Sequence, residues 1–117
     1  MKMKNTIEKG SVRYIIFQDG DSWYAVALEF NIVVQGDDKM EVMASLFHAV
    51  NGYVASAKKA KLRPVVLNQT PDSEYEYLWS QLHQTGKHKP KRLQGEKIIE
   101  PNQVFTYGVA PALALAA

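Results

Sequence analysis

The sequence predicts an α/β fold of the α+β kind: an antiparallel sheet, one long helix across a face, a second helix and a last strand. Three observations carry this. Apolar residues fill two runs, 11–18 and 22–29, on either side of a tight-turn signal, Asp19-Gly20-Asp21. From Lys39 to about Ala60 the apolar period changes to three and four, the spacing of an amphipathic helix. After Thr70-Pro71, the residues Tyr75, Leu78, Trp79 and Leu82 again recur at helical spacing.

The elements follow in order. In the first strand Val12, Tyr14 and Ile16 share one face, and Ile15 and Phe17 share the other. The glycine of the turn supplies a positive φ, which makes the next run an antiparallel partner. There Tyr24, Val26 and Leu28 lie on one side, with Trp23, Ala25 and Ala27 on the other. A third short strand, 32–35, stops at Gly36, so the three strands form a meander. Asp38 with Glu41 three residues on forms the capping pattern that starts a helix. Lys58, Lys59 and Lys61 suit its negative C-terminal end. At about 1.5 Å per residue this helix is about 30 Å long. Strands of this length span about 26 Å, so one helix covers one face of the sheet.

Pro64 ends that element. Thr70 as N-cap and Pro71 as first helical residue open a second helix over 71–84, with Gly86 as its stop. Residues 87–97 are basic and contain Pro90 and Gly95, the composition of a loop. Residues 104–109 form the last strand, with Pro111 just beyond. The whole reads as a single domain, 1–117, with a core over 11–61 and an extension over 62–117.

Composition narrows the function classes. The chain has 117 residues, 46% of them hydrophobic and 22% charged, an ordinary globular balance. Its net charge of +2 is too small for a dedicated nucleic-acid coat. With no cysteine there is no disulfide scaffold, thiolate metal site or cysteine nucleophile. The lysine-rich start lacks the apolar run of a secretory signal. No stretch approaches the roughly 20 apolar residues of a membrane span, so a cytoplasmic protein is expected.

The strands are apolar on both faces, and the first helix shields only one. The other face is covered by the second helix, by the last strand and tail, or by another chain. A homo-oligomer or a protein partner is thus one expectation, and coverage within the chain is the alternative.

Catalytic patterns are missing. His48, His83 and His88 have no zinc-helix spacing, and His48 reads as a partly buried structural residue. There is no Gly-x-Ser-x-Gly elbow and no glycine-rich phosphate loop. No metal or cofactor is expected. Between Asp19 and Glu41 stand six acids (Asp19, Asp21, Glu29, Asp37, Asp38 and Glu41) and one base, Lys39. That segment reads either as an acidic docking edge for a basic partner or as turn and cap chemistry. Nine of the 14 Lys/Arg fall in two groups, Lys58, Lys59, Lys61, Arg63 and Lys87, Lys89, Lys91, Arg92, Lys97. Lys87, Lys89, Lys91 and Arg92 offer an RNA- or DNA-binding alternative, set against a plain solvated loop without stacking aromatics.

The run from Gly20-Asp21-Ser22-Trp23 through Gln35-Gly36-Asp37-Asp38, followed by the helix over 39–57, resembles the HicB-like antitoxin family. The resemblance covers residues 11–61, and hairpin, Gln35-Gly36 and helix stand in the family's order. It implies a partial ribonuclease-H-like βββα core that is not catalytic. It also implies binding to a small HicA-type mRNA-cleaving toxin by steric masking, often with dimerisation. Many members add a DNA-binding module, but here 71–84 supplies one helix, not a helix-turn-helix. The second half is similar to a longer, stand-alone subgroup, so an orphan role is the rival to a toxin partner. The expected docking residues are Trp23, Asp21, Glu29, Asp37, Tyr75 and Trp79, with core packing as the alternative for the aromatics. The terminal Leu115-Ala116-Ala117 looks like the end of the bacterial degradation tag, against the alternative of a frayed tail.

Overall fold

A computed structural model describes residues 10–83 and 99–110. Strands β1 (Val12–Asp19), β2 (Ser22–Ala27), β3 (Ile32–Gly36) and β4 (Val104–Ala110) form one antiparallel sheet in the order β3-β2-β1-β4. Helix α1 (Lys39–Lys59) lies on one face and the shorter α2 (Ser73–Leu82) on the other. The mixed α+β architecture is the one the residue pattern predicts. β1 is central: it pairs with β2 by a hairpin and with β4 from the far end of the chain.

Local chemistry fixes the elements. Gly20 opens the two-residue hairpin loop at φ +65°, a conformation glycine adopts without steric cost. The second strand is shorter than the alternation predicts. After Ala27 the chain enters a 3-10 turn, Leu28–Phe30, closed by Asn31 in the left-handed region at φ 52°. The turn sends successive side chains different ways: Leu28 into the second core, Glu29 towards Arg13, Phe30 into the first core. The Asn31 side-chain amide donates to Gln69 Oε1 and to the Thr70 carbonyl, at 3.2 and 3.0 Å.

The Asp38 carboxylate caps α1, accepting from the Glu41 N–H at 2.9 Å. The helix ends without a glycine. Lys61 takes the left-handed position at φ 54°, the Lys61 N–H donates to Lys58 O, and the Leu62 N–H donates to Ala57 O. This is the paired-bond termination in which glycine is the usual residue. α2 begins two residues later than Thr70-Pro71 predicts. Asp72 occupies the cap position and its carbonyl accepts from the Tyr75 and Glu76 N–H groups. α2 also stops earlier, at Leu82, with His83 as C-cap; Gly86 lies outside the described residues.

Two cores result. Under α1, the buried residues Val12, Ile16, Ala25, Ala27 and Phe30 meet Val42, Leu46, Val50, Val54 and Ala57. Leu67 joins them from the linker, which Tyr53 anchors by donating its hydroxyl to Val66 O at 2.6 Å. Under α2, Ile15, Phe17, Val26 and Leu28 are buried with Leu78 and Ile99. The centre of the reverse face is thus covered by the chain itself. The open apolar face that motivated a partner is closed over its centre.

Gly36 shows why a Gln-Gly step precedes the helix. A β-carbon there falls 2.8 Å from Val42 Cγ1, and Val42 is buried in the first core. Gly36→Ala is expected to lower stability by about 1–2 kcal/mol, the cost of an overpacked site, as read from a denaturant midpoint.

Tyr75 gives the second core a pH dependence. Burial, with Glu74 and Asp72 adding to it, pushes its hydroxyl from the ordinary 10.0 up to about 12. The folded state therefore favours the neutral phenol. This stabilisation is complete below about pH 10 and is lost as pH rises through about 12. Tyr75→Phe should remove this hydroxyl and flatten the alkaline loss of stability over that window. An unchanged alkaline profile contradicts the assignment.

Candidate docking cleft

The six expected docking residues fall into two groups. Glu29, Tyr75 and Trp79 lie between α2 and the sheet. Glu29 accepts from the Arg13 guanidinium Nε and, at 2.8 Å, from the Arg13 backbone N–H. Arg13 Nη1 and Nη2 donate to the two oxygens of Glu76 on α2 at 2.7 and 2.9 Å. Burial lowers the Arg13 pKa, but the bonds to Glu76 and Glu29 outweigh it and raise it above its ordinary value. The guanidinium carbon also lies 5.4 Å from the centre of the Trp79 ring. Tyr75 meets Phe17 at 6.2 Å between ring centres, and Phe17 stacks on Tyr24 at 5.3 Å. Trp79 packs on His83 at 4.4 Å and edge-on to Tyr107 at 5.8 Å. These three residues hold the fold together.

Trp23, Asp21 and Asp37 come together at the other end of the sheet. Trp23 pairs in register with Gly36, which sets the Asp37-Asp38 step beside the β1–β2 turn that carries Asp21. A cleft of about 380 Å³ opens here, lined by Gln18, Gly20, Trp23, Asn102, Gln103, Val104 and Phe105. Its far wall is the 3-10 turn Pro101–Gln103 that leads into β4. The Gln103 amide fixes that wall, donating to Gln18 O at 2.8 Å and accepting from the Glu100 N–H at 2.9 Å. A register shift between Ile16 and Phe17 gives β4 one extra residue, Phe105. The bulge turns Phe105 towards Trp23, edge to face at 6.2 Å and 82°.

The electrostatics are mixed. Lys39 Nζ lies 4.5 Å from the Phe105 ring centre and 5.8 Å from that of Trp23, so this aromatic pair already holds a cation. Asp21 and Asp37 are exposed, and neither forms an ion pair among the described residues. Asp38 is engaged in its cap. The cleft thus joins an aromatic wall and side-chain amides, and the exposed Asp21 and Asp37 lie at the same end of the sheet.

Of the histidines, His48 departs from expectation and His83 stands at the end of α2 as the sequence places it. His48 is exposed on α1 and has no structural burial, because the helix turns it just past the apolar stripe. His83 Nδ1 lies 2.9 Å from Trp79 O. Among the described residues no group of three or more His, Asp or Glu is placed to hold a metal ion. No described helix is long and apolar enough to cross a membrane. His88, Lys87, Lys89, Lys91, Arg92 and the tail from Pro111 lie outside the described residues.

Phe105, Asn102 and Gln103 are cleft residues that sequence reasoning passed over, as it passed over Lys39 against the two rings. Phe105 carried a faint signal, a large aromatic in an otherwise ordinary last strand. Nothing local marked Asn102 or Gln103, since their role comes from the pairing of β4 with β1.

Fold and site together define a small α+β protein with an aromatic, amide-lined cleft at the turn end of its sheet. No family model matches the chain, and neither does any curated protein or solved structure.

Proposed function

We propose that the chain is a non-catalytic docking protein of the HicB-like antitoxin kind, acting in the cytoplasm. Its target is a small, basic, HicA-type mRNA-cleaving toxin, and it acts by covering the toxin's RNA-binding surface. The observation that carries this reading is the turn end of the sheet: Phe105 is exposed and Trp23 half-buried there, and the same end carries Asp21 and Asp37, two exposed carboxylates with no ion pair among the described residues. An RNA-binding toxin surface is cationic, because it must neutralise phosphates. A lysine or arginine from that surface gains attraction from the acids, and stacks on the rings by displacing Lys39. The βββα order and the glycine that lets α1 close on β3 support the family reading.

Within this reading the docking set contracts to Trp23, Asp21 and Asp37, joined by Phe105. Glu29, Tyr75 and Trp79 act indirectly, by holding α2. Charge at the rim speeds association more than it deepens affinity.

The test is co-expression with a HicA-type toxin, read as growth rescue, with affinity measured on the purified pair. Trp23→Ala is expected to weaken binding at least about tenfold, as a central aromatic anchor does. Asp21→Asn with Asp37→Asn should slow association and flatten its salt dependence. Full rescue by the Trp23→Ala chain sinks the cleft as the docking site. Steeply salt-dependent binding of RNA by the isolated chain, lost on neutralising Lys87, Lys89, Lys91 and Arg92, replaces this reading with the RNA-binding one.

A further inference from the structure

The two ends of α1 carry opposite charge. Its start stands among Asp37, Asp38 and Glu41, beside the β1–β2 turn with Asp19 and Asp21, and Lys39 is the one base there. From Val42 to Pro71 the chain has no acid, and the helix runs out through Lys58 and Lys59 into Lys61 and Arg63. None of these four cations forms an ion pair among the described residues. Helix polarity accounts for Lys58 and Lys59, which stand in the last turn. It does not account for Lys61 and Arg63 beyond the helix, nor for the apolar residues set among them: Leu62 is 44% exposed and Val65 50%. An anchored backbone holds both in the open. The Leu62 N–H donates to Ala57 O at 2.9 Å. Directly after Val65, Val66 O accepts from the Tyr53 hydroxyl and the Gln69 amide, and Leu67 is buried in the first core. The Gln69 N–H donates to Glu29 O at 2.8 Å, which ties the segment to the end of the sheet away from the β1–β2 turn.

We propose that this end of α1 is a peripheral membrane contact. Lys58, Lys59, Lys61 and Arg63 bind the anionic headgroups of a bilayer, and Leu62 and Val65 enter its interface. The chain lies on the bilayer, held by charge and a shallow apolar wedge. Three observations select a bilayer. Apolar side chains set among cations gain where headgroups give way to acyl chains, and gain little from a phosphate backbone in water. Residues 58–65 contain no aromatic on which a nucleic-acid base stacks. The acids stand at the far end of α1, so a negative surface draws the cations towards it and turns the acids away. An acidic peptide answers the charges but needs neither Leu62 nor Val65.

Each cation near an anionic bilayer strengthens partitioning by roughly fivefold, and the group together by several-hundred-fold. The wedge is small, so the contact is reversible and falls away with salt. This inference stands apart from the toxin reading, because it uses the C-terminal end of α1 and leaves Trp23, Asp21 and Asp37 untouched.

Sedimentation of the full chain with vesicles is the first test. The expected result is binding to phosphatidylcholine vesicles containing about one-third phosphatidylglycerol, none to phosphatidylcholine alone, and loss with added salt. Lys59→Gln with Arg63→Gln, both exposed, should weaken binding roughly 25-fold with a nearly unchanged melting temperature. Leu62→Ser with Val65→Ser should weaken it by about tenfold or more and leave its salt dependence in place. A second measurement reads orientation. The chain has no cysteine, so Val65→Cys and Met40→Cys chains each take one environment-sensitive dye. Anionic vesicles should shift the emission of the dye on the Val65→Cys chain and leave that on the Met40→Cys chain, exposed at the other end of α1, unshifted. Equal sedimentation with both kinds of vesicle, or with neither, overturns the proposal. Binding that survives Lys59→Gln with Arg63→Gln also overturns it, because other cations then carry it. Full-strength binding of an oligouridylate or of polyglutamate by the Leu62→Ser, Val65→Ser chain, with no vesicle binding by the unaltered one, gives these cations to nucleic acid or to an acidic partner instead.

Discussion

Replacing Arg13 with alanine is expected to lower stability by about 2–3 kcal/mol, the cost of removing one member of a half-buried charge network. Among the described residues Arg13 is the link between Glu29, in the 3-10 turn after β2, and Glu76 on α2, and it bonds both carboxylates. Without it two carboxylates face each other across a partly dry gap, and Trp79 loses the cation beside its ring. Glu76 is 43% exposed, so water screens its share, and this places the cost towards the lower end. At about 4 °C per kcal/mol for a domain of this size, the melting temperature falls by roughly 8–12 °C. Arg13→Lys should fall between, because an ammonium keeps the charge but cannot fork to two carboxylates. Arg13→Met combined with Glu76→Gln should cost less than the two single changes added, since it removes both ends of one pair. Strict additivity contradicts the network.

How far this was legible in the sequence depends on the range of each interaction. Faces and elements were readable because alternation, helical spacing, Gly20 and Asp38 are local signals. The ends of β2 and α2 were misread for local reasons too: a 3-10 turn keeps Leu28 buried after the strand stops, and Asp72 replaces Thr70 as the cap. The cover of the second face was not readable. It depends on Arg13 reaching Glu76 across 63 residues and on Ile99 returning to Leu78's core, and no periodicity encodes either. Arg13 did carry a hint, as the one charge inside an apolar strand. The candidate site divided in the same way. Trp23, Asp21 and Asp37 were picked out one by one, by residue type; that they share the turn end follows from the strand register. Glu29 and Trp79 have the composition of docking residues, yet the fold spends both on α2.

That division makes α2 the weaker half of the molecule, and Leu78→Ala is the change that shows it. α1 buries five residues against the sheet, while α2 buries only Leu78. Truncating a fully enclosed leucine costs about 3–4 kcal/mol through lost transfer and the cavity left behind. The same change at Leu46 under α1 has a comparable cost, but its neighbours Val42, Val50 and Val54 keep the helix seated. The expected results therefore differ in kind. Leu46→Ala should lower the melting point while hydrogen exchange keeps one protection pattern, scaled down throughout. Leu78→Ala should release α2 by a local opening, so that exchange rises in residues 73–82 and in Ile15, Phe17 and Val26 before it rises under α1. Once α2 leaves, Ile15, Phe17, Val26 and Leu28 form an open apolar face next to the uncharged edge of β4, and the chain should bind a hydrophobic dye and aggregate. If exchange in the two cores accelerates together, α2 and α1 unfold as one unit, and the sheet's second face is held more firmly than one buried leucine and one arginine explain.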